Sequence, residues 1–446
     1  MMTRVLIPSG ALGLNYDQAA LERGIANGPD IIVIDGGSTD SGPAYLGRGV
    51  SKYARASTKV EWAGLMAARA KADVPLVIGT AGTCGADTAV DWMLELTREI
   101  AAEQGTPVKI ATLKSGQDPE AIAKANLSPL PGAPDVTAED IAACSNIVAL
   151  AGAEQVTQAL NTGADIVICG RATDTAIIAA LPLQKGDHAG AAWHGAKIGE
   201  CGALCATNPQ SGVLQVDFDA TGFTITPLAD GAHATPHTVY AHMLYENSDP
   251  FILYEPGGYL DVRDATYTAL DDRRVRVEGS AWVPSEDYTV KLEGARVAGY
   301  QVVAMALLRD TRYVANAQVW ADDIATKARA KVEARLGTTD FHIELRLIGQ
   351  NASFGPLETK ASAPNEIGVT AIVTAPTEAR AEEIAKILNP YLLHHPLTQE
   401  EEQPTFAFLF SPPEMKRGAT YAFTLHHTMT LNDPMEAFRL EVHEHG

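Results

Sequence analysis

Two short stretches of this chain carry the same polar signature. VIDGGSTDSG, residues 33–42, and VICGRATDTA, residues 167–176, each end an apolar run in glycine and then reach Thr-Asp three residues on. The residue types suggest proton transfer and anion binding. The carboxyls of Asp40 and Asp174 can move a proton or hold a hydrated cation. Glycine lets backbone N–H groups come close to a ligand. Such groups near a helix start, with Ser and Thr hydroxyls, suit a carboxylate or phosphate. Arg171 adds a countercharge.

These stretches belong to a wider pattern. Ser9 and Gly10 end the first apolar run, and Asp35, Gly36, Gly37, Ser38, Thr39, Asp40 and Ser41 end the second. GTAGTCGAD, residues 79–87, ends the third and brings Thr80, Gly82, Thr83, Cys84 and Asp87. The fourth ends in Lys114, Ser115 and Gly116. The fifth ends in GRATD, with Arg171, Thr173 and Asp174. Ligands of open parallel sheets bind outside the carboxyl ends of the strands, so these loops are expected to share one face. Plainer roles stand beside this one. A Ser, Thr or Asp at a strand-to-helix turn also caps the helix. Arg171 also suits a structural ion pair. Cys84 reads either as an activated thiol at a helix start or as a small buried residue. The helices around the two Thr-Asp loops do not match, so the echo reads as two turns with one geometric solution rather than a repeat.

The elements that must position these groups alternate. TRVLI, IIVI, LVI, VKIATL and IVI read as strands of a buried parallel sheet. Helical patterns over 15–26, 58–71, 91–104, 137–143 and 154–160 separate or flank them, with Thr58 and Glu61 spaced as a capping box. This predicts a doubly wound, mostly parallel α/β domain over 1–244. Residues 245–295 hold short Val/Tyr-rich runs and read as a β-rich bridge. From 296 to 446 the order strand, helix, strand, strand, helix, strand predicts a ferredoxin-like α+β domain, with helices over 325–336 and 377–388 and strands at TFAFLF and YAFTLHHTMTL.

Composition limits the partners. The net charge of -21 disfavours nucleic acid and an anionic membrane surface. Local positive sites for a small anion remain compatible with it. No run of eighteen apolar residues occurs, and MMTRVLIPSGALG lacks the pattern of a signal peptide. The five cysteines form no CxxC pair. Cys201 and Cys205 have no second pair, so no structural zinc site follows from spacing. Free thiols point to a reducing, cytoplasmic setting. His233, His237 and His242 cannot share one helical face, and the pairs His394-His395 and His426-His427 read as surface or interface groups. No metal ligand set is assigned, although a Mg²⁺ held by Asp40, Asp87 and Asp174 is an alternative. Glu200, in the Gly-rich KIGECGALCATNP, is a further candidate acid or base.

Several motifs are missing. GTAGTCG has the wrong spacing and the wrong strand for a dinucleotide loop, so no NAD site is indicated. No phosphate-binding GxxxxGK[ST] loop for ATP and no GxSxG elbow occur.

In combination, GGSTDSGPAYLG, VPLVIGTAGTCGAD, VICGRATDTA and HHPLTQEEEQPTFAFLFSPPE resemble the acyclic terpene utilisation AtuA family over nearly the whole chain. The resemblance implies an N-terminal α/β domain, a C-terminal ferredoxin-like domain, and a bacterial catabolic setting beside a small companion protein and acyl-CoA or organic-acid genes. It carries over no catalytic residue. The expectation is a lyase of the hydratase/dehydratase kind acting on a small carboxylic acid or its CoA thioester. Asp40, Asp174 or Glu200 would move the proton. Arg171, Lys114 and the backbone N–H groups of Gly36-Gly37 and residues 79–82 would hold the anion. Ser38, Thr39 and Thr83 would orient the substrate. A hydrolase at the same site and a ligand-binding subunit of a complex are the alternatives. A homo-oligomer is expected by analogy with paired ferredoxin-like sheets.

Overall fold

The computed structural model describes residues 2–360 and 364–445. The chain forms two compact units, residues 1–296 with 423–446 and residues 297–422.

The five apolar runs become neighbours in the first unit. Thr3–Ile7, Ile31–Asp35, Leu76–Gly79, Ile166–Cys169 and Val108–Lys114 lie side by side in that order, each parallel to the next. The three central strands are buried at every residue, because helices cover both faces. Alternation sorts their side chains. Ile32, Ile34, Leu76 and Ile78 join the core beneath helices Gln18–Ala26, Arg55–Ala72 and Asp87–Gln104. Val33, Val77 and Val167 join the opposite core, with Ala153–Leu160, Asp174–Lys185 and Ala189–Gly199.

The sheet is parallel only in its centre, where the sequence predicts a mostly parallel one. Leu214–Phe218, Gly222–Pro227, Val275–Glu278 and Thr266–Ala269 extend one edge antiparallel, and Arg439–His445 closes the other, giving ten strands. Two strands of the expected bridge thus belong to the main sheet. Ile252–Glu255, Gly258–Asp261 and Ala281–Pro284 form a separate three-stranded sheet.

Helix starts differ where side chains compete. The first helix begins at Gln18 because the Asp17 carboxylate accepts the Ala20 N–H at 2.9 Å. Thr58 and Glu61 form no capping box. The helix already runs from Arg55, and Glu61 instead accepts the Gly13 N–H at 2.7 Å.

In the second unit, residues 300–308 pair antiparallel with Ile367–Ala375, which pairs with His342–Ile348. Helices Ala317–Leu336 and Glu378–His394 bury Trp320, Ile324, Ile384 and Leu388 against them. Both helices are longer than their apolar patterns suggest. Within TFAFLF only Ala407–Phe408 is strand.

Candidate active site

A cavity of about 940 Å³ opens at the carboxyl edge of the parallel sheet. The loop after Thr3–Ile7 contributes Ser9, and the loop after Ile31–Asp35 contributes Gly37, Ser38, Asp40 and Ser41. Asp174 reaches it from the start of its helix. Asp35, Lys52, Tyr53, Thr83, Cys201, Tyr245 and Glu246 add to the polar lining, and Leu14 and Leu204 add apolar surface. The two Thr-Asp loops therefore do converge on one pocket.

Neither aspartate of the echo is a cap. Ser38 and Thr173 hold those positions, accepting the N–H groups of Asp40 and Ala176 at 3.3 and 3.2 Å. Asp40 is exposed, and its carboxylate accepts the Ser38 hydroxyl at 2.7 Å. Asp174 lies 3.8 Å from the Arg171 guanidinium. Burial nevertheless raises the Asp174 pKa, and the charge of Arg171 opposes that rise.

The principal addition to the sequence-derived set is Asp35. It ends its strand at 6 % exposure. One carboxyl oxygen accepts the Gly37 N–H at 2.8 Å, and the other, Oδ1, is buried with no partner. Burial, followed by the charge of Asp174, pushes its pKa well above the ordinary carboxylate range. The available signal was an acid closing an all-apolar run, at the position Cys169 holds in the echo.

Other candidates support the site from outside the cavity lining. Arg171 is buried outside the lining and bonded within the protein. Its Nε donates to Glu293 at 3.1 Å, and its Nη1 donates to the Thr80 hydroxyl at 3.2 Å. Glu293, 4 % exposed, also accepts the Thr39 hydroxyl at 2.9 Å. One buried acid thus ties both Thr-Asp loops together. Two salt-bridged cations, Arg171 and Lys291, hold its pKa far below the usual range despite burial. Ser115 is fully buried and accepts the Arg171 N–H at 2.8 Å. Lys114 pairs with Asp91 at 2.7 Å. Three N–H groups of the expected anion cradle have partners within the protein. Gly36 N–H donates to Gly79 O, Gly37 N–H to Asp35, and Thr80 N–H to Gly170 O. Gly82 has a φ of 64°, in the left-handed region, and Cys84 is a buried thiol with its pKa raised by desolvation. Asp87 accepts the Gly116 N–H and pairs with Arg439, and it does not line the cavity that Asp40 and Asp174 share.

The third loop stores strain. Thr80 and Thr83 have φ of 42° and 70°, a region costly for β-branched residues, of order 1–3 kcal/mol each. Gly36 allows this loop to come close, since a Cβ there would lie 2.4 Å from the Thr80 carbonyl oxygen.

Glu200 ends the helix Ala189–Gly199 and is buried beside Lys197, whose ammonium donates to it at 2.5 Å. Burial raises its pKa to about 8, against the pull of that lysine. It does not line the cavity, although its neighbour Cys201 does. Sequence spacing placed His242 outside any cluster, yet it is 6 % exposed, and burial lowers its pKa to about 4.

The model of the acyclic terpene utilisation family protein AtuA matches residues 56–409. The chain belongs to this AtuA family. The family description links its members to the utilisation of acyclic terpenes. The match spans Thr83, Arg171, Asp174, Cys201 and Tyr245 of the site, while the GGSTD loop precedes it. Comparison with curated proteins and with solved structures gives no match for this AtuA-family chain. Among the described residues no helix is long and apolar enough to cross a membrane.

Proposed function

We propose that this chain is an acid–base enzyme, a lyase of the hydratase/dehydratase kind, acting on a short acyl group. The observation that carries the reading is the pairing of Asp35 and Asp174 in one cavity, in unequal surroundings. Asp35 is the more deeply buried, and its free oxygen has no donor, so its surroundings favour the protonated form. Asp174 has Arg171 beside it and retains more of its charge. Two carboxyls whose environments push them apart are suited to opposite roles. In dehydration, Asp174 takes the proton from the carbon next to the carbonyl. Asp35 gives its proton to the leaving hydroxyl, and water departs.

The lining also favours one form of substrate. Asp35, Asp40, Asp174 and Glu246 face it, and Lys52 is the one cationic side chain among the described lining residues. A free carboxylate meets mostly negative charge there, whereas a neutral thioester does not. Leu14 and Leu204 suit a small branched hydrocarbon, in keeping with the family's link to acyclic terpenes.

The test is solvent exchange. The protein is incubated in D₂O with 3-hydroxyacyl and 2-enoyl thioesters and the matching free acids, followed by NMR. The expected result is deuterium entering next to the carbonyl of a thioester, with loss of exchange in both Asp35→Asn and Asp174→Asn. Exchange that survives in both variants contradicts the assignment.

A further inference from the structure

We propose that Glu200, Cys201 and His242 form a binding site for a divalent transition metal of the zinc class in the wall of the cavity. Three kinds of donor meet here. A carboxylate oxygen of Glu200, the Cys201 sulfur and a His242 ring nitrogen all lie within 4.8 Å of one another. Ligand atoms around a tetrahedral zinc stand roughly 3.5 Å apart, so shifts of about an ångström close the set.

An independent observation points to a ligand. His242 is 6 % exposed, its ring stacks on Tyr245 at 5.3 Å, and its Nε2 is buried with no hydrogen-bond partner. A buried polar atom is rarely left unpaired. Coordination would satisfy it. The mixed O, S, N donor set suits zinc and its neighbours better than magnesium or calcium, which prefer oxygen alone.

Position adds to the case. Glu200 and Cys201 follow directly on the helix Ala189–Gly199, and His242 follows the short helix Pro236–Ala241. Two parts of the fold distant in sequence thus supply the set. Cys201 itself lines the cavity. Three protein ligands leave a fourth position free, as at catalytic rather than structural zinc sites. Lys197 occupies one edge of Glu200 and also donates to the Tyr245 carbonyl at 2.8 Å. A carboxylate has two oxygens, so the ammonium and a metal can share it. Binding exchanges the Cys201 S–H bond for a metal–sulfur bond and releases that proton to solvent.

The experiment uses the full chain, stripped with chelator and titrated with Co²⁺, with Zn²⁺ binding measured by competition. The wild type is expected to take up one equivalent and to show the absorption of a thiolate-bound, tetrahedral cobalt. Cys201→Ser should lose the sulfur-to-cobalt band. His242→Asn should bind at least about 10-fold more weakly, since even loss of an outer-shell partner costs about that much. Circular dichroism establishes that each variant is folded. If His242→Asn fails to fold, Zn²⁺-dependent elevation of the thermal midpoint in wild type, and its loss in Cys201→Ser, decides the matter. Absence of stoichiometric Co²⁺ and Zn²⁺ binding by the wild type overturns the proposal. So does binding with an unchanged spectrum and affinity in Cys201→Ser.

Discussion

Replacing Glu293 by Gln probes the joint that holds the two Thr-Asp loops together. Glu293 and Arg171 have side-chain exposures of 5 % and 8 % and meet at 3.1 Å. At an effective dielectric near 20 their attraction is about 5 kcal/mol before desolvation is counted. Removing one partner of a buried pair leaves the other charge stranded, typically at a cost of about 3–5 kcal/mol. Arg171 keeps Asp174 at 3.8 Å, which favours the low end, about 3 kcal/mol. For a unit of this size, unfolding entropy scales to a fall in thermal midpoint of roughly 4–5 °C. The assay is thermal unfolding followed by circular dichroism, run as a cycle with Arg171→Met and the double variant Arg171→Met/Glu293→Gln. The double variant should be about 2 kcal/mol more stable than the sum of the single losses, because neither charge of this pair is left facing an uncharged partner. A shift below about 1 °C for Glu293→Gln, or additive losses, refutes the reasoning.

Three further outcomes follow from the same physics. The Asp35 pKa is raised in the folded state, so the native protein holds a proton that the unfolded chain has lost. That lowers stability as pH climbs from the ordinary aspartate range towards the folded value. Asp35→Asn should therefore raise the thermal midpoint at pH 7–8 while turnover disappears, and a lowered midpoint would contradict this. His194 shows the opposite case. Fully buried between the Ser280 hydroxyl and Tyr267, its ring has its pKa lowered by burial from 6.5 to about 3. The unfolded chain takes up the proton first, so stability drains as pH falls from about 6.5 towards 3, by up to roughly 5 kcal/mol. Urea midpoints from pH 7 to 4 should show a loss that His194→Gln lacks. Finally, Lys114→Ala should leave turnover within about two-fold of wild type, since Lys114 is bound to Asp91 and does not line the cavity. A loss of ten-fold or more would return Lys114 to the site.

The central strands were legible because a strand buried on both faces must be apolar throughout, as IIVI and LVI are. The closing edge strand RLEVHEH was not, because an edge strand faces water and tolerates alternating charge. The convergence of the Thr-Asp loops followed from the rule that parallel strands present their carboxyl ends together. Which charged groups face the ligand did not follow. Sequence shows that Arg171 and Lys114 are charged. It does not show that Glu293, over a hundred residues on, and Asp91, on the preceding helix, will claim them. Asp35 was hidden at the junction of its apolar strand and a Gly/Ser/Asp-rich loop, since burial depends on the layers stacked above it. His242 was missed for a related reason. Histidine spacing searches within one element, whereas its neighbours Glu200 and Cys201 come from another part of the fold.

The central claim is that one cavity holds a protonated aspartic acid beside a second, more ionised one. Infrared titration of protein labelled with ¹³C at aspartate carboxyls tests it directly. The account predicts a protonated carboxyl band that persists at neutral pH, vanishes in Asp35→Asn and remains in Asp40→Asn. A spectrum in which every aspartate is ionised at neutral pH, or a neutral-pH band that survives in Asp35→Asn, would contradict it.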